Sequence, residues 1–511
     1  MSYGLFTKLY EDGEPFALID SRERRDYVSG HWFGSINIPL SLFSTRIGYL
    51  FKSTDTLINI LDWDDSASAE AIYQLKLIGF HNVTIHKTKR PTKMGCGFVK
   101  GEYVWSKAFG EVVANQIDLP EVTPQQYLAN YQDAMLFDVR PTAEYQDFTL
   151  PTSQSLPNSL LLANIHALKE TNRMSLLHCA GRTRSIIGAF TLMASGYDGQ
   201  FAVFRGGTQA WQLDGHDREH NANRFFATDH ESSDVVTSFL HRWQITSERV
   251  PANKLTAYTS AHSNELMFDV SDDAATGQLV AHGIIKISGT NLIQQTDWSI
   301  ALFHVPITLF DHGSGSRAAF AAFWLHSMGF SVNLVYLDNP VVAMDTKNRT
   351  HFGNLAPPTV YLDATELSNW QDEHKKIYDF RPSGSFKNGY IVNSEWHNIS
   401  AILDETPHHI PLAIIANDMT TGRLIAHCLT RHGWQIVGVY IWNSGDFDQS
   451  KLATGSPELT LDESALFAGR HRGVLKDAQD YLAWEEDLPH EIDKLIHDLW
   501  CQRVDREPKL D

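Results

Sequence analysis

A chain of 511 residues exceeds one ordinary domain, and length alone suggests three or four. Hydrophobic residues make up 43% and charged residues 20%, a globular composition with material for several cores. The formal net charge of −19, from 42 basic and 61 acidic residues, argues against a general nucleic-acid partner. The four cysteines, Cys96, Cys179, Cys428 and Cys501, form no CxxC pair and are too few for a disulfide framework, so no metal site is expected. The start of the chain has no basic segment followed by a long apolar run. No apolar run reaches the roughly 18 residues of a membrane span, so a reduced, cytoplasmic protein without membrane contact is expected.

The first strand-like segment is "ALIDSR", with Asp20 and Arg22 at its end. It is followed by "GSINIPL", the apolar strand "TLINILDWD", a helix-like stretch "AEAIYQLKLIGF" and a last strand "NVTIH". The same order begins again at "MLFDVR" with Asp138 and Arg140, at "LMFDVS" with Asp269, and at "KIYDFR" with Asp379 and Arg381. The aspartates lie 118, 131 and 110 residues apart, a domain-sized period rather than a solenoid. Apolar strands alternating with helices predict an α/β fold, each copy a parallel sheet flanked by helices. The glycine that closes each helix-like stretch suits a C-cap. The recurring Asp-x-Arg reads as an ion pair tying strand to loop, because it also occurs in copies without a nucleophile; Asp138 and Arg140 are therefore structural neighbours of the second copy's loop.

The expected units are residues 5–112, 120–220, 250–345 and 356–450. Polar connectors separate them: "DLPEVTP", then "DGHDREHNANRFFATDHESSD" with a helical linker at "RWQITSERVPANKLT", and finally "FGNLAPPTVYLD". Residues 451–511 carry helical apolar spacing and no strand pattern, which predicts a C-terminal helical extension packed on the last units.

The second copy differs from the others at one place. Its strand "MSLL" runs into "HCAGRTRS" and then the helix-like "IIGAFTLMASGY". This puts Cys179 in a turn at the C-terminal end of a strand, where open α/β sheets bind ligands. A helix N-terminus offers unpaired N–H groups and partial positive charge, and Arg182 and Arg184 add formal charge. Together they predict a depressed Cys179 pKa and a nucleophilic thiolate. Gly181 is expected to let the backbone curl around the sulfur, and His178 to shape the pocket from the strand. Cys428 reads as a core residue, Cys501 as a helix-face residue and Cys96 as an incidental loop thiol.

The strand–Cys–loop–Arg–Ser–helix segment, the "DVR" opening and the later "FRGGTQAW", with Gly206, Gly207 and Trp211, resemble a rhodanese domain. The family's usual loop has glycine three residues after the cysteine, whereas here Gly181 comes two after it and Arg182 takes the third place. The resemblance extends over four copies but is strong only in the second. At the corresponding strand ends the first copy has Asp62, the third Asp311 and the fourth Asn417-Asp418, with Arg317 and Arg423 kept in the third and fourth loops. A carboxylate cannot carry sulfur as a persulfide, so those copies are expected to be inactive, in an arrangement that resembles two inactive–active pairs in tandem.

The resemblance implies a sulfurtransferase that needs no cofactor. Cys179 would take a sulfane sulfur from thiosulfate or 3-mercaptopyruvate and pass it to cyanide or a thiol. The loop Ala180, Gly181, Arg182, Thr183, Arg184 and Ser185 would cradle the persulfide. Arg182 is expected to present an exposed guanidinium to an anionic donor, and Arg184 either to do the same or to brace the loop. Two alternatives stand beside this reading. A cysteine-dependent phosphatase of the same fold would have five residues between cysteine and arginine, where this loop has the four from Ala180 to Thr183. A non-catalytic persulfide or redox sensor would stop after one equivalent of sulfur.

Overall fold

Short apolar runs form the central strands of four sheets, several of them closed by an aspartate. In a computed structural model of the chain, the described residues are 4–226, 233–280, 283–339, 341, 359–368, 375–407, 409–455 and 460–505. The first sheet holds β1 (Ala17–Asp20), β2 (Ile36–Asn37), β3 (Ile58–Asp62) and β4 (Val83–Lys87) in the order β2-β1-β3-β4. The second holds β5 (Glu121–Val122), β6 (Met135–Asp138), β7 (Gln154–Ser155), β8 (Ser175–His178) and β9 (Phe201–Phe204) in the order β5-β9-β8-β6-β7. All neighbours in these two sheets are parallel.

The third sheet holds β10 (Thr246–Val250), β11 (Leu266–Asp269), β12 (Thr276–Leu279), β13 (Ile285–Ile287), β14 (Ile307–Asp311) and β15 (Val332–Leu337). It is parallel except for the antiparallel edge pair β12–β13. The fourth, again parallel, holds β16 (Lys376–Asp379), β17 (Glu395–Trp396), β18 (Leu412–Ala416) and β19 (Ile436–Ile441).

Helices follow the third-position strands and the turns that matter below. They are α1 (Ser66–Leu77), α2 (Val104–Gln116), α3 (Thr183–Ala194), α4 (Gly207–Leu213), α5 (Gly289–Gln294), α6 (Ser316–Ser327), α7 (Met419–Arg431), α8 (Leu475–Glu491) and α9 (Lys494–Asp505). No helix among the described residues is long and apolar enough to cross a membrane.

Three expectations change. "RWQITSERVPANKLT" is not a helical linker throughout: Thr246–Val250 is a strand pairing with Val332–Leu337, its Thr-x-Glu-x-Val alternation suiting a sheet edge with a wet outer face. The first and second units meet where Glu111 of α2 binds Arg182, and other contacts cross the tandem order. The second packs on the third, where Trp324 Nε1 of α6 donates to Thr191 Oγ1 of α3 at 2.9 Å. The first packs on the fourth, through Arg431 on Glu70 and Tyr73 against His427. Finally, the extension lies only partly on the last units: α8 lies over the first and second, and α9 lies between the first and the third. Trp484 Nε1 donates to the Lys100 carbonyl at 3.1 Å, and Trp500 Nε1 to the Met328 carbonyl at 3.0 Å. The segment before them bonds to the fourth unit through Asp462 and Glu463 and through Leu452–Ala453, a short strand the sequence pattern did not predict, which pairs antiparallel with Tyr390–Ile391. Parts of the connectors "DGHDREHNANRFFATDHESSD" and "FGNLAPPTVYLD" lie outside the described residues.

The hub is α2, buried along Val104–Val113. Trp105 stacks on Phe33 with centroids 4.9 Å apart, Trp500 of α9 meets Trp105 and Phe109 edge-on at 5.2 Å, and Phe109 meets Trp324 of α6 at 5.5 Å. A helix in contact on all sides has no face left for water, so its buried polar members Ser106, Lys107 and Glu111 each take a partner within the protein.

Asp-x-Arg forms the same device in three sheets. Arg22, Arg140 and Arg381 each grip the aspartate two residues earlier with Nε and Nη2, and each donates to a carbonyl eight residues later, of Gly30, Phe148 and Gly389. Burial alone would raise the Asp138 pKa, but the Arg140 guanidinium overrides it and holds the carboxyl at about 2. A group depressed in the folded state stabilises above its unfolded value of about 3.9 and loses that contribution as pH falls. Stability should therefore decline from about pH 4 towards about 2 in part through this pair. Arg140→Met, which strands a buried carboxylate, should cost roughly 3–5 kcal/mol in urea denaturation. The same change at Arg249, an exposed partner of Asp338, should leave the midpoint nearly unmoved.

Candidate active site

Strand β8 ends at His178, and the chain turns through Cys179, Ala180, Gly181 and Arg182 into α3. The turn is clamped from the side by α4: Thr208 N donates to the Cys179 carbonyl and Gln209 N to the Ala180 carbonyl, both at 3.0 Å. This approach is possible only because residue 207 lacks a side chain. Gly207 has φ 53°, and a Cβ there would sit 2.1 Å from the Cys179 carbonyl oxygen. The Gly-Gly of "FRGGTQAW" is thus a backbone-contact requirement.

The Cys179 thiol is 2% exposed and lies 3.7 Å from Ser185 Oγ, which itself donates to the Arg182 carbonyl at 2.7 Å. It borders a cavity of about 320 Å³ shared with Lys107, Arg184, Gln209, Arg470 and Glu485. The cavity is walled by α2, α3, α4, α8 and the end of α5, so four parts of the chain meet over one thiol. His178 is buried, bonded through Nε2 to Ser153 Oγ at 2.7 Å, and burial lowers its pKa to about 4. It lies behind the turn and does not itself line the cavity.

The expected depressed thiol pKa is not found. Burial pushes the Cys179 pKa up; Arg184 pulls it down, and Glu485 pushes it further up. The two arginines and the helix N-terminus favour the thiolate, but α8 covers the loop and shields it from water. Arg182 is corrected as well. It is 7% exposed rather than free in solvent: Nε and Nη2 bind Glu111 at 2.9 and 3.0 Å, and Nη1 binds Glu486 at 3.0 Å. Its fork is filled by carboxylates of α2 and α8. Arg184 faces the cavity, with Nη1 on Glu144 Oε1 at 2.7 Å and on Gln294 Oε1 at 3.0 Å. Gly181 has no positive φ. A Cβ there would come within 2.8 Å of the Tyr481 ring and 3.0 Å of Glu485 Oε2, so its role is to make room for α8.

Among the cavity residues that the sequence did not mark are Lys107, Gln209, Arg470, Tyr481 and Glu485. The Lys107 ammonium donates to the Glu102 carbonyl at 2.7 Å, and burial lowers its pKa to about 8. Gln209 is 1% exposed, and neither atom of its amide has a partner. Gln209 alone had a local signal, its place beside Gly207 in "FRGGTQAW". The others reach the loop only through tertiary packing.

Of the remaining cysteines, Cys96 is exposed, Cys428 buried and Cys501 partly buried. Cys428 lies with Glu70 and His432 so that their ligand atoms are within 4.8 Å of one another. Arg431 already neutralises Glu70, and burial holds the Cys428 thiol protonated, so the cluster is a closed contact between the first and fourth units.

The family model of the rhodanese-like domain matches residues 123–214, which enclose the cysteine turn, α3 and α4. A sulfurtransferase from Allochromatium vinosum is 30% identical over 103 residues, covering 20% of this chain and 92% of that protein. A crystal structure of thiosulfate sulfurtransferase from Pseudomonas aeruginosa aligns over 98% of both chains with a TM-score of 0.79 and 21% identity, a likeness of fold along the whole length.

Since the thiolate is the species that alkylates, its rate against pH reports the thiol's ionisation. With burial raising it, Cys179 should reach half its maximal iodoacetamide rate above the ordinary thiol value of about 8.5. Mass spectrometry of the Cys179 peptide after timed labelling measures this. A midpoint below that of free cysteine would restore the depressed thiol expected from the arginines alone.

Proposed function

The chain belongs to the rhodanese-like family through residues 123–214, and on that premise we propose that it transfers sulfane sulfur through a persulfide on Cys179. The observation that carries the proposal is the placement of the Cys179 thiol at a strand end, inside the turn of a helix N-terminus, opening on a cavity that Arg184 also lines. The Cys179 thiolate attacks the outer sulfur of thiosulfate. The new S–S bond forms as the old one breaks, its electron pair leaves with sulfite, and the enzyme keeps an anionic persulfide. Cyanide or a thiolate then attacks that outer sulfur, giving thiocyanate or a new persulfide and returning the Cys179 thiolate. Backbone N–H groups between Ala180 and Ser185 disperse the persulfide charge. Arg184 is the cation nearest this task, since Arg182 is bound by Glu111 and Glu486.

In this reading the four sheets are four rhodanese-like units. The first, third and fourth, with Asp62, Asp311 and Asn417-Asp418 at the cysteine position, act as scaffold. Thiosulfate and 3-mercaptopyruvate are the candidate donors, and Cys96 takes no part. The four residues between Cys179 and Arg184 support sulfur over phosphate as the cargo.

Full-length protein treated with thiosulfate should gain one sulfur atom on the Cys179 peptide, lost again on adding cyanide. Cys179→Ser should lower thiosulfate-dependent thiocyanate formation by at least about a thousandfold, whereas Cys96→Ser should leave sulfur loading intact. Full turnover in Cys179→Ser would overturn the assignment, and loading that stops after one equivalent with every acceptor would leave a sensor in its place.

A further inference from the structure

The first N–H groups of a helix need acceptors. In three sheets a neighbouring aspartate supplies one. Asp65 accepts from Ser68 N at 2.7 Å at the start of α1, Asp311 from Ala318 N at 3.0 Å in α6, and Asp418 from Thr421 N at 2.9 Å in α7. The residue preceding α3, Arg182, has no such side chain. Its acceptor comes from α8, 303 residues further along. Glu485 is 1% exposed, with its carboxylate 3.3 Å from Arg182 N and 3.4 Å from Thr183 N; it also accepts from the Thr183 hydroxyl, and from the Tyr481 hydroxyl at 3.2 Å. A carboxylate therefore lies on the loop N–H groups beside the one thiol-bearing turn. The space next to it is built for something else as well, because the buried Gln209 amide lines it with both of its polar atoms unpartnered. The cavity wall has four Lys or Arg side chains against four Asp or Glu, so no excess positive charge offsets the Glu485 carboxylate.

We propose that Glu485 is a specificity-determining residue of this site: its carboxylate occupies the N–H groups that an anionic donor would take, so the site discriminates against sulfur donors in proportion to their negative charge. The local aspartates of the other sheets close their loops permanently. Glu485 sits on a separate helix, so a donor can displace it without unfolding the turn. The link to turnover rests on the sulfurtransferase reading above; the charge selectivity at Cys179 does not.

Two reagents separate charge from reactivity. Iodoacetate and iodoacetamide alkylate the same thiolate, so the ratio of their rates cancels the thiol's ionisation and leaves the charge preference of the site. In the full-length wild-type protein this ratio at Cys179 should lie at least about fivefold below that of free cysteine, the size expected for one carboxylate within a few ångströms in a partly screened site. Glu485→Gln should raise it at least about fivefold, and Glu485→Asp, which keeps the charge, should stay near wild type. A wild-type ratio equal to that of free cysteine overturns the proposal, and this measurement needs no variant to fold. So does a Glu485→Gln protein in which both reagents accelerate equally, which would make Glu485 a plug without charge preference. In turnover, Glu485→Gln should raise kcat/KM for dianionic thiosulfate more than for singly charged 3-mercaptopyruvate; an unchanged ratio counts against the proposal. If neither compound is turned over, the sulfurtransferase reading fails while the alkylation ratios still decide the role of Glu485.

Discussion

Backbone N–H groups at the start of α3 point into protein rather than water, and the carboxylate that answers them is carried by a helix at the far end of the chain. Much of the site follows from that contact. For Glu485 to reach the loop, α8 has to be held down, and Trp484 bonded to the Lys100 carbonyl does so. The loop must leave room, which explains a glycine at position 181 rather than one residue later. Beneath both lies α2, whose Glu111 anchors Arg182 from the other side. The cysteine turn is thus gripped between two helices that belong to neither its own strand nor its own helix.

The electrostatics follow from the same enclosure. Two arginines and a helix N-terminus in a wet loop would favour a thiolate. Enclosed by α8 the balance reverses, since burial disfavours the charged form and Glu485 opposes Arg184. Formal charge within the motif is therefore a poor guide to the charge at the sulfur. Arg182 belongs to the motif yet its charge is met by Glu111 and Glu486, while Glu485 lies outside it and acts on the thiol directly.

The repeat was legible because it is written in local signals: apolar strand runs, closing glycines and Asp-x-Arg at strand ends. Its ion-pair reading holds in detail, down to the shared carbonyl eight residues on. The position of Cys179 at a strand end was legible for the same reason. The edge strand Thr246–Val250 was missed because its polar alternation resembles a linker when the partner strand lies more than eighty residues away. Glu485, Tyr481 and Lys107 were missed because nothing near them in sequence marks them. They read as ordinary members of amphipathic or buried helices, and their roles arise only from where α2 and α8 cross the loop.

The units with no cysteine at the strand end have work that their own loops do not reveal. Arg317, which occupies in the third unit the place of Arg184, binds Asp273 at 2.7 Å, and Asp273 in turn accepts from Ser159 of the second unit at 2.5 Å. An arginine of a degenerate loop has become a tie between sheets. From the same unit, Gln294 accepts from Arg184, and Asp297 accepts from Val104 N at the start of α2. The third unit therefore orients a cavity arginine and caps the hub helix, and the first supplies that helix. Each buried tie to the second unit leaves an unpaired polar group if it is cut, so the geometry of the single cysteine turn depends on residues in units that carry no thiol at their strand ends.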